Sequence, residues 1–389
     1  MSYPFARRVD RVRSSTVMEL LRLAGQPGLI SFAGGLPAPE LFPVEAVREA
    51  TDRVLREQAA SALQYGETEG YRPLRELVVE EMASRGIDCA VENTLITTGS
   101  QQALDLVARV FLDEGDFVLT EDPTYLAAIQ IFESYGARFA PIPTDDDGLI
   151  PEALPELIAR HRPKLLYTIA NFQNPTGRTL SLARRRALVE IADRSGLLVV
   201  EDDPYGKLRY RGDDVPPIRS LDRGDNLIYL STFSKTVVPG LRTGYAIAPA
   251  EVQRKLTIVK QATDLHSSSL DQRIVVEYYH TGDTRPHVAR IRAAYGERYA
   301  VMDECLRAEL PSGFSWTHPE GGMFLWVTGP EGLRTHELLA RGLETGVVYV
   351  PGRDFFAEAG GDNQLRLNFS NTTVAAIEEG IPRLGRLLR

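Results

Sequence analysis

Short apolar runs that alternate with helical segments constrain the fold of this 389-residue chain more than any other feature. The runs are nearly all apolar and rich in β-branched residues, which is typical of strands buried on both faces of a sheet. Segments 101–111 and 181–195 carry apolar residues at helical spacing. The pattern therefore predicts an α/β fold with a mostly parallel sheet covered by helices on both faces. The apolar runs lie at 95–98, 117–120, 165–169, 197–201, 227–230 and 245–248.

The pattern changes after residue 265. Two long helical patterns, over 269–280 and 288–310, precede short segments in which apolar and polar residues alternate. This change predicts a second, smaller α+β domain that is reached through a linking helix. We expect an N-terminal arm over 1–30, a large domain with the linking helix over 31–280, and a small C-terminal domain over 281–389.

Composition and charge exclude several classes of function. The chain has 44 Lys+Arg against 53 Asp+Glu, a net charge of −9, and no strongly basic segment, so we expect no nucleic-acid partner. No apolar run reaches the ~18 residues that span a bilayer, and residues 1–10 lack the apolar core of a signal peptide. Two cysteines and scattered histidines form no metal-site spacing. We expect a soluble, cytoplasmic protein with no membrane partner and no catalytic metal.

A lysine leaves the end of an apolar run in Ser231-Thr232-Phe233-Ser234-Lys235. Burial lowers the pKa of an amine and makes it a better nucleophile toward carbonyl groups. Thr232, Ser234 and the nearby Arg242 have the hydroxyl and guanidinium groups that hold a phosphate. Taken alone, a Ser-Lys pair at the end of a strand most often faces solvent.

Polar residues also follow two other runs. Asp202 ends the run at 197–201, and Tyr205 comes three residues later. An acid at the carboxyl end of a parallel strand lies in the crevice where open α/β sheets bind ligands, and it could keep a pyridine nitrogen protonated. Asn174 follows the run at 165–169 and, with Tyr205, could donate to a ring hydroxyl. Asn-Pro and Thr-Gly are also ordinary turn dipeptides, so a plain turn at 174–177 is the alternative.

Three further segments have a functional and a plain interpretation. Ser100 and Gln101 begin a helix after a strand, where free N–H groups favour a phosphate, although Ser100 could simply cap the helix. Tyr125 could stack on a planar ring or be an ordinary core or surface tyrosine. Arg366 lies on an alternating strand and could either face solvent or clamp a carboxylate.

Together these residues supply an amine nucleophile, an acid for a ring nitrogen, donors for a ring hydroxyl and phosphate ligands. A lysine Schiff base with an acidic partner for the pyridine nitrogen defines a pyridoxal phosphate site. Because all these residues follow strands of one predicted sheet, we expect them to meet at one edge of it.

The chain resembles the fold-type I, pyridoxal-phosphate-dependent aminotransferases of class I/II over nearly its whole length. Within that family it is most similar to the branch that contains 2-aminoadipate and kynurenine aminotransferases and the aminotransferase-like half of MocR regulators. The fold implied is a large domain with a seven-stranded sheet and a smaller α+β domain. The matching segments are SFAGGLP (31–37), LQYGETEGYRPLRE (63–76), TTGSQQALDL (97–106), NPTG (174–177), EDDPY (201–205), STFSK (231–235), PGLRTGY (239–245), GGMFLW (321–326) and LRLNFS (365–370).

The resemblance implies a role in cofactor binding for many of the matching residues. Lys235 would carry the cofactor as a Schiff base and move the substrate proton. Asp202 would pair with the ring nitrogen, and Tyr125 would stack on the ring. The ring oxygen would contact Asn174 and Tyr205. The phosphate would be held by Ser100, Gln101, Thr232, Ser234 and Arg242.

The resemblance also implies how substrate and subunits are arranged. Arg366 would bind the α-carboxylate of the substrate, beside Asn174 and the backbone at Gly35. Tyr65 would reach the phosphate of a neighbouring subunit, so the active unit would be a homodimer with shared active sites. Residues 1–30 would close over the site as a lid.

The implied reaction moves an amino group from an L-amino acid to a 2-oxo acid by a ping-pong mechanism. Members of the family that take acidic side chains carry an arginine on the lid helix, where this chain has Met18, although Arg13 or Arg22 could substitute for it. Methionine favours an apolar or aromatic substrate side chain, so 2-aminoadipate is the less favoured candidate. A lyase or cyclase on the same fold is the alternative reaction. A MocR-type sensor is a remote alternative, because few residues precede SFAGGLP.

Overall fold

The computed structural model describes residues 3–11, 20, 22, 28–282 and 284–389. The strands are β1 Ile30–Ser31, β2 Thr94–Thr97, β3 Phe117–Glu121, β4 Arg138–Ile142, β5 Thr144–Asp145, β6 Gly148–Leu149, β7 Leu165–Thr168, β8 Leu198–Asp202, β9 Leu227–Thr232, β10 Gly244–Ile247, β11 Ser315–Trp316, β12 Phe324–Thr328, β13 Val347–Val348, β14 Val350–Pro351 and β15 Gln364–Asn368. The α-helices are Val44–Glu57, Ala59–Ala62, Arg72–Ser84, Gly99–Phe111, Leu126–Ser134, Leu154–His161, Leu182–Ser195, Ile218–Leu221, Ala250–Asp264, Ser269–Thr281, Thr284–Glu309, Leu339–Thr345 and Val374–Leu387.

The central sheet has seven strands in the order β2-β10-β9-β8-β7-β3-β4. β10 runs antiparallel to both of its neighbours, and the other strands are parallel to one another. This confirms the predicted α/β fold with a mostly parallel sheet. The apolar pattern missed β4, which lies at the edge of the sheet and contains Pro141 and an exposed Arg138. A proline is tolerated there because an edge strand has one side that needs no ladder partner.

Helices cover both faces of this sheet, and successive residues on a strand enter opposite cores. Leu165 and Val200 pack into one apolar cluster with the helices Gly99–Phe111 and Thr284–Glu309. Their neighbours Leu166 and Val199 pack into the other cluster, with the helices Arg72–Ser84, Leu182–Ser195 and Ser269–Thr281. This alternation follows from the period of two in a strand, and it explains why the runs are apolar throughout.

A second, antiparallel sheet has the strand order β11-β12-β15-β14. The helices Thr284–Glu309 and Val374–Leu387 pack against each other beside it. The division of the chain at 30 and 280 stays a prediction. β1 pairs with β13, so Ile30–Ser31 joins the C-terminal part of the chain and not the central sheet.

Among the described residues, no helix combines the length and the apolar character that crossing a membrane requires.

Candidate active site

A cavity of about 440 Å³ opens at the carboxyl edge of the central sheet. The strands β2, β7, β8 and β9 all end there, as the parallel arrangement requires. The structure brings most of the predicted site residues to this cavity. They are Gly35, Ser100, Gln101, Tyr125, Asn174, Asp202, Tyr205, Thr232, Ser234, Lys235, Arg242 and Arg366.

Lys235 lies in a single 3-10 turn directly after β9. Its Nζ enters the cavity and donates to the carbonyl oxygen of Gly35 at 3.2 Å. Burial, and then the positive charges of Arg242 and Arg366, lower the pKa of this amine to about 8. The lowered pKa increases the neutral fraction of the amine near neutral pH, as a nucleophile or a base requires.

Asp202, at the end of β8, has one carboxylate oxygen without a partner. Its Oδ2 accepts from the Tyr167 hydroxyl at 3.0 Å, while Oδ1 is buried with no hydrogen-bond partner among the described residues. Burial raises the pKa of this carboxyl to about 7. A buried acceptor without a donor is costly, so Oδ1 is suited to a ligand that brings an N–H group.

The adjacent Asp203 has the opposite environment. Its carboxylate accepts from Arg85 at 2.7 Å, from Tyr229 at 2.9 Å and from Asn171 at 3.0 Å. Burial acts to raise the pKa of Asp203, but Arg85 and these hydrogen bonds outweigh it and hold the pKa below its usual range. Asp203 is therefore satisfied within the protein, and only Asp202 is left available to a ligand.

The N-terminus of helix Gly99–Phe111 forms one wall of the cavity, and we call this wall with Thr232, Ser234 and Arg242 the phosphate cup. Arg242 Nη1 donates to Ser234 Oγ at 3.4 Å, and Thr232 Oγ1 lies 2.9 Å from the same oxygen. The cup is tightly built, because a Cβ on Gly99 (φ +77°) would lie 2.5 Å from Arg242 Nη2. Free N–H groups at a helix start, two hydroxyls and a guanidinium are the donors that a phosphate dianion takes.

Arg366, on β15, faces the cavity and is only 3% exposed. It donates to Asn174 Oδ1 at 2.8 Å and to the carbonyl oxygen of Ala33 at 2.6 Å, and its guanidinium lies 4.3 Å from the centre of the Phe324 ring. Burial lowers the pKa of Arg366 to about 10, yet the group stays cationic at neutral pH. The solvent-facing alternative for this arginine is therefore wrong.

Two tyrosines complete the polar lining. Tyr205 is 6% exposed and packs edge-on against Phe324 at 5.9 Å between ring centres. Burial raises the pKa of both hydroxyls, that of Tyr125 to about 12. Both therefore stay protonated and can donate hydrogen bonds at neutral pH.

Tyr65 is the predicted site residue that the single chain does not bring to the cavity. It is 78% exposed, and its ring lies edge-on to His266 at 5.8 Å between centres. Met18, on which the prediction of an apolar or aromatic substrate side chain rests, lies outside the described residues. No group of metal-ligating side chains occurs among the residues that are described.

Sequence reasoning missed the apolar part of the lining. Phe324 lies in GGMFLW, a matching segment to which no site role was given, and Phe355 lies in no matching segment. Only their position in the fold identifies them as cavity residues. The further unpredicted lining residues are Leu36, Pro37, Leu126, Ala127, Gln130, Ile169, Pro204 and Pro239.

Comparison with known families gives the class of the chain. The model of the family "Aminotransferase class I and II" matches residues 30–384. The chain therefore belongs to the class I and II aminotransferases, which confirms the predicted family and enzyme class.

Three similar proteins illustrate this membership. A 2-aminoadipate transaminase from Thermus thermophilus is 45% identical over 100% of this chain and 97% of its own length. Aromatic-amino-acid aminotransferase 1 from Thermococcus litoralis is 44% identical over 99% of this chain and 94% of its own. The solved α-aminoadipate aminotransferase of Thermus thermophilus, complexed with N-(5'-phosphopyridoxyl)-L-leucine, superposes with a TM-score of 0.93, 45% identity and coverage of 99% and 97% of the two chains.

Pyridoxal 5'-phosphate is the cofactor of this enzyme class, and the residues of the cavity fit it. No described residue donates to Asp202 Oδ1, and a protonated ring nitrogen would supply that donor. The phosphate cup offers donors for a dianion, and Lys235 offers an amine for the aldehyde. The chain thus has one matching group for each reactive part of the cofactor.

Proposed function

We propose that this enzyme transfers the amino group of an L-amino acid to a 2-oxo acid, with Lys235 and Asp202 as its catalytic residues and Tyr205 assisting. The observation that supports this most is that the Lys235 amine, the Asp202 carboxyl with its Oδ1 unpartnered among the described residues, and the phosphate cup all border one cavity. Arg366 at the same cavity adds a site for the α-carboxylate of the substrate.

Each residue has a defined task in this proposal. When bound, pyridoxal phosphate supplies the electron withdrawal that weakens the Cα–H bond of the amino acid. Arg366 binds the α-carboxylate and so directs Cα toward Lys235. Lys235 takes the proton from Cα, for which an amine with a lowered pKa is suited. Asp202 holds the positive charge at the ring nitrogen, and Tyr205 and Asn174 donate toward the ring oxygen.

We further propose that the substrate side chain is apolar, aromatic or 2-aminoadipate-like. Similarity to a 2-aminoadipate transaminase and an aromatic-amino-acid aminotransferase supports this class. Within it, the cavity favours apolar and aromatic side chains. Among the described residues, the cationic lining groups are Lys235, Arg242 and Arg366, and the proposal uses all three. Leu126 and Phe355 form part of the apolar wall of the cavity.

A comparison of donors tests reaction and substrate class together. Purified enzyme would be incubated with 2-oxoglutarate and with L-leucine, L-phenylalanine or L-2-aminoadipate as the donor. Glutamate, the new 2-oxo acid and ammonia would then be quantified. We expect equal amounts of glutamate and oxo acid, no ammonia, and kcat/KM highest for leucine or phenylalanine. A clear preference for 2-aminoadipate would contradict the apolar assignment. Ammonia without glutamate would instead identify a lyase.

The lowered pKa of Lys235 predicts how cofactor capture depends on pH. The neutral amine is the nucleophile, so the capture rate should rise about tenfold per pH unit below pH 8 and level off above it. Stopped-flow recording of the visible absorption of the bound cofactor, after mixing with cofactor-free enzyme, measures this rate. A rate that is flat between pH 6 and 8 would contradict the assignment of Lys235 as the capturing amine.

We propose that the active unit is a homodimer in which Tyr65 serves the cofactor phosphate of the partner subunit. Tyr65 is exposed and does not line the cavity of its own chain, which supports this arrangement. Sedimentation at assay concentration should show two chains per particle, and a fully active monomer would contradict it. The cytoplasmic location and the lack of a nucleic-acid partner remain predictions from composition.

A further inference from the structure

A buried lysine outside the cavity contacts the base of the phosphate cup. Lys260 lies on helix Ala250–Asp264 and is completely buried. Its Nζ donates to Asp264 at 2.8 Å, to Ser267 Oγ at 3.1 Å and to Gln102 Oε1 at 3.2 Å. An ammonium group has three protons, and these three acceptor groups take all of them. Lys260 does not line the cavity, so it has no place in the proposed chemistry.

Gln102 connects this lysine to the start of the phosphate-binding helix. Its Oε1 also accepts from the backbone N–H of Thr98 at 2.7 Å, and its Nε2 donates to Asp264 at 2.5 Å. The hydroxyl of Thr98 lies 3.0 Å from Ser267 Oγ, and the carbonyl of Thr98 accepts from Arg242 at 3.5 Å. Thr98 is thus held through its N–H, its hydroxyl and its carbonyl.

Thr98 is the N-cap residue of helix Gly99–Phe111, but its side chain does not cap the helix. An N-cap side chain ordinarily accepts from the second or third N–H of the helix. Here the hydroxyl is engaged by Ser267, so it does not occupy the N–H groups of Ser100 and Gln101, two residues that line the cavity. Thr98 is therefore held by Gln102 and Ser267 from outside the cavity and by Arg242 from within the phosphate cup.

We propose that Lys260, acting through Gln102, is a positioning residue that holds the start of helix Gly99–Phe111 in the geometry that receives the cofactor phosphate. This inference rests on the proposed role of the phosphate cup. It predicts that loss of the Lys260 ammonium weakens the binding of the phosphate group and leaves the rest of the cofactor site intact.

The test compares two ligands that differ only in the phosphate. Cofactor-free wild type, Lys260→Met and Gln102→Ala would be titrated with pyridoxal 5'-phosphate and with pyridoxal, following visible absorption. We expect Lys260→Met to raise the Kd of the phosphorylated ligand about tenfold, because a positioned, charge-assisted hydrogen-bond network is lost. The Kd of pyridoxal should stay within about twofold of wild type. Lys255→Met, an exposed lysine on the same helix, is the matched control and should change neither value.

Two further measurements separate positioning from folding. Methionine fits the space of the lysine, and Asp264 is 27% exposed and can be rehydrated, so the variant should show a native circular dichroism spectrum. Gln102→Ala should raise the Kd of pyridoxal 5'-phosphate by a similar factor. The Kd of the double variant should exceed that of either single variant by no more than about twofold.

The outcomes are distinguishable. Equal weakening of both ligands, or of neither, in Lys260→Met would overturn the inference. If wild type itself bound pyridoxal as tightly as pyridoxal 5'-phosphate, the cup would not be a phosphate-binding site. The proposed function would then lose the support that it takes from this site.

Discussion

Replacing Lys235 with alanine is expected to lower transamination turnover by about 10⁴-fold or more and to remove the absorption of covalently bound cofactor. The side chain supplies both the amine that captures the cofactor and the base for the substrate proton. Its position in the cavity leaves no other described amine to substitute, because Lys235 is the only described lysine that lines it. Steady-state assays and an absorption spectrum after dialysis measure the two losses.

Lys235→Arg separates charge from nucleophilicity. Arginine keeps the positive charge beside Arg242 and Arg366 but has no neutral form to attack a carbonyl. We expect it to be as inactive as Lys235→Ala. Both variants should keep the phosphate cup and bind the cofactor reversibly, so that dialysis removes it. Turnover above about a tenth of wild type in either variant would show that another group is the base.

Asp202→Asn and Asp203→Asn are expected to give opposite results, although the two residues are adjacent in sequence and equally buried. Asp202 Oδ1 has no partner in the part of the chain that the structure describes, so replacing Asp202 should lower kcat by about 10³-fold with little change in stability. Asp203 is buried and balances the positive charge of the partly buried Arg85. Removing its charge should cost about 3 kcal/mol of unfolding free energy and leave kcat of the folded fraction within about tenfold of wild type.

Denaturant unfolding of the cofactor-free proteins and kcat per bound cofactor measure these two effects independently. The account would be contradicted if Asp203→Asn lost catalysis and Asp202→Asn lost stability. It would equally be contradicted if Asp202→Asn turned over at the wild-type rate, since the ring nitrogen would then not need this acid.

The main features of the fold follow from the sequence because the buried parallel strands are distinctive. Every inner strand of the central sheet appears in the sequence as an apolar run, and so does the edge strand β2. β4 does not, because an edge strand tolerates Pro141 and an exposed Arg138. The pairing of β1 with β13 in the C-terminal part could not be predicted either. A strand of two residues shows no periodicity, and β13 lies more than 300 residues further along the chain.

The candidate site was predictable where a residue follows a strand end. Asp202 ends a strand of the parallel sheet and Lys235 and Asn174 follow other strands of it, and the topology brings such positions together. The different environments of Asp202 and Asp203 were not predictable, because they depend on Arg85, which is over 100 residues away in sequence. Lys260 was missed for a similar reason, since its sequence context is that of an ordinary helix face.

The most direct test of the account is a single-turnover measurement without an acceptor. Enzyme loaded with pyridoxal 5'-phosphate would receive excess L-leucine or L-phenylalanine and no 2-oxo acid, and the released 2-oxo acid and ammonia would be quantified. The account predicts about one equivalent of 2-oxo acid per bound cofactor, no ammonia, and renewed release only after 2-oxoglutarate is added. Continuous release of ammonia, or no 2-oxo acid from either donor, would contradict it.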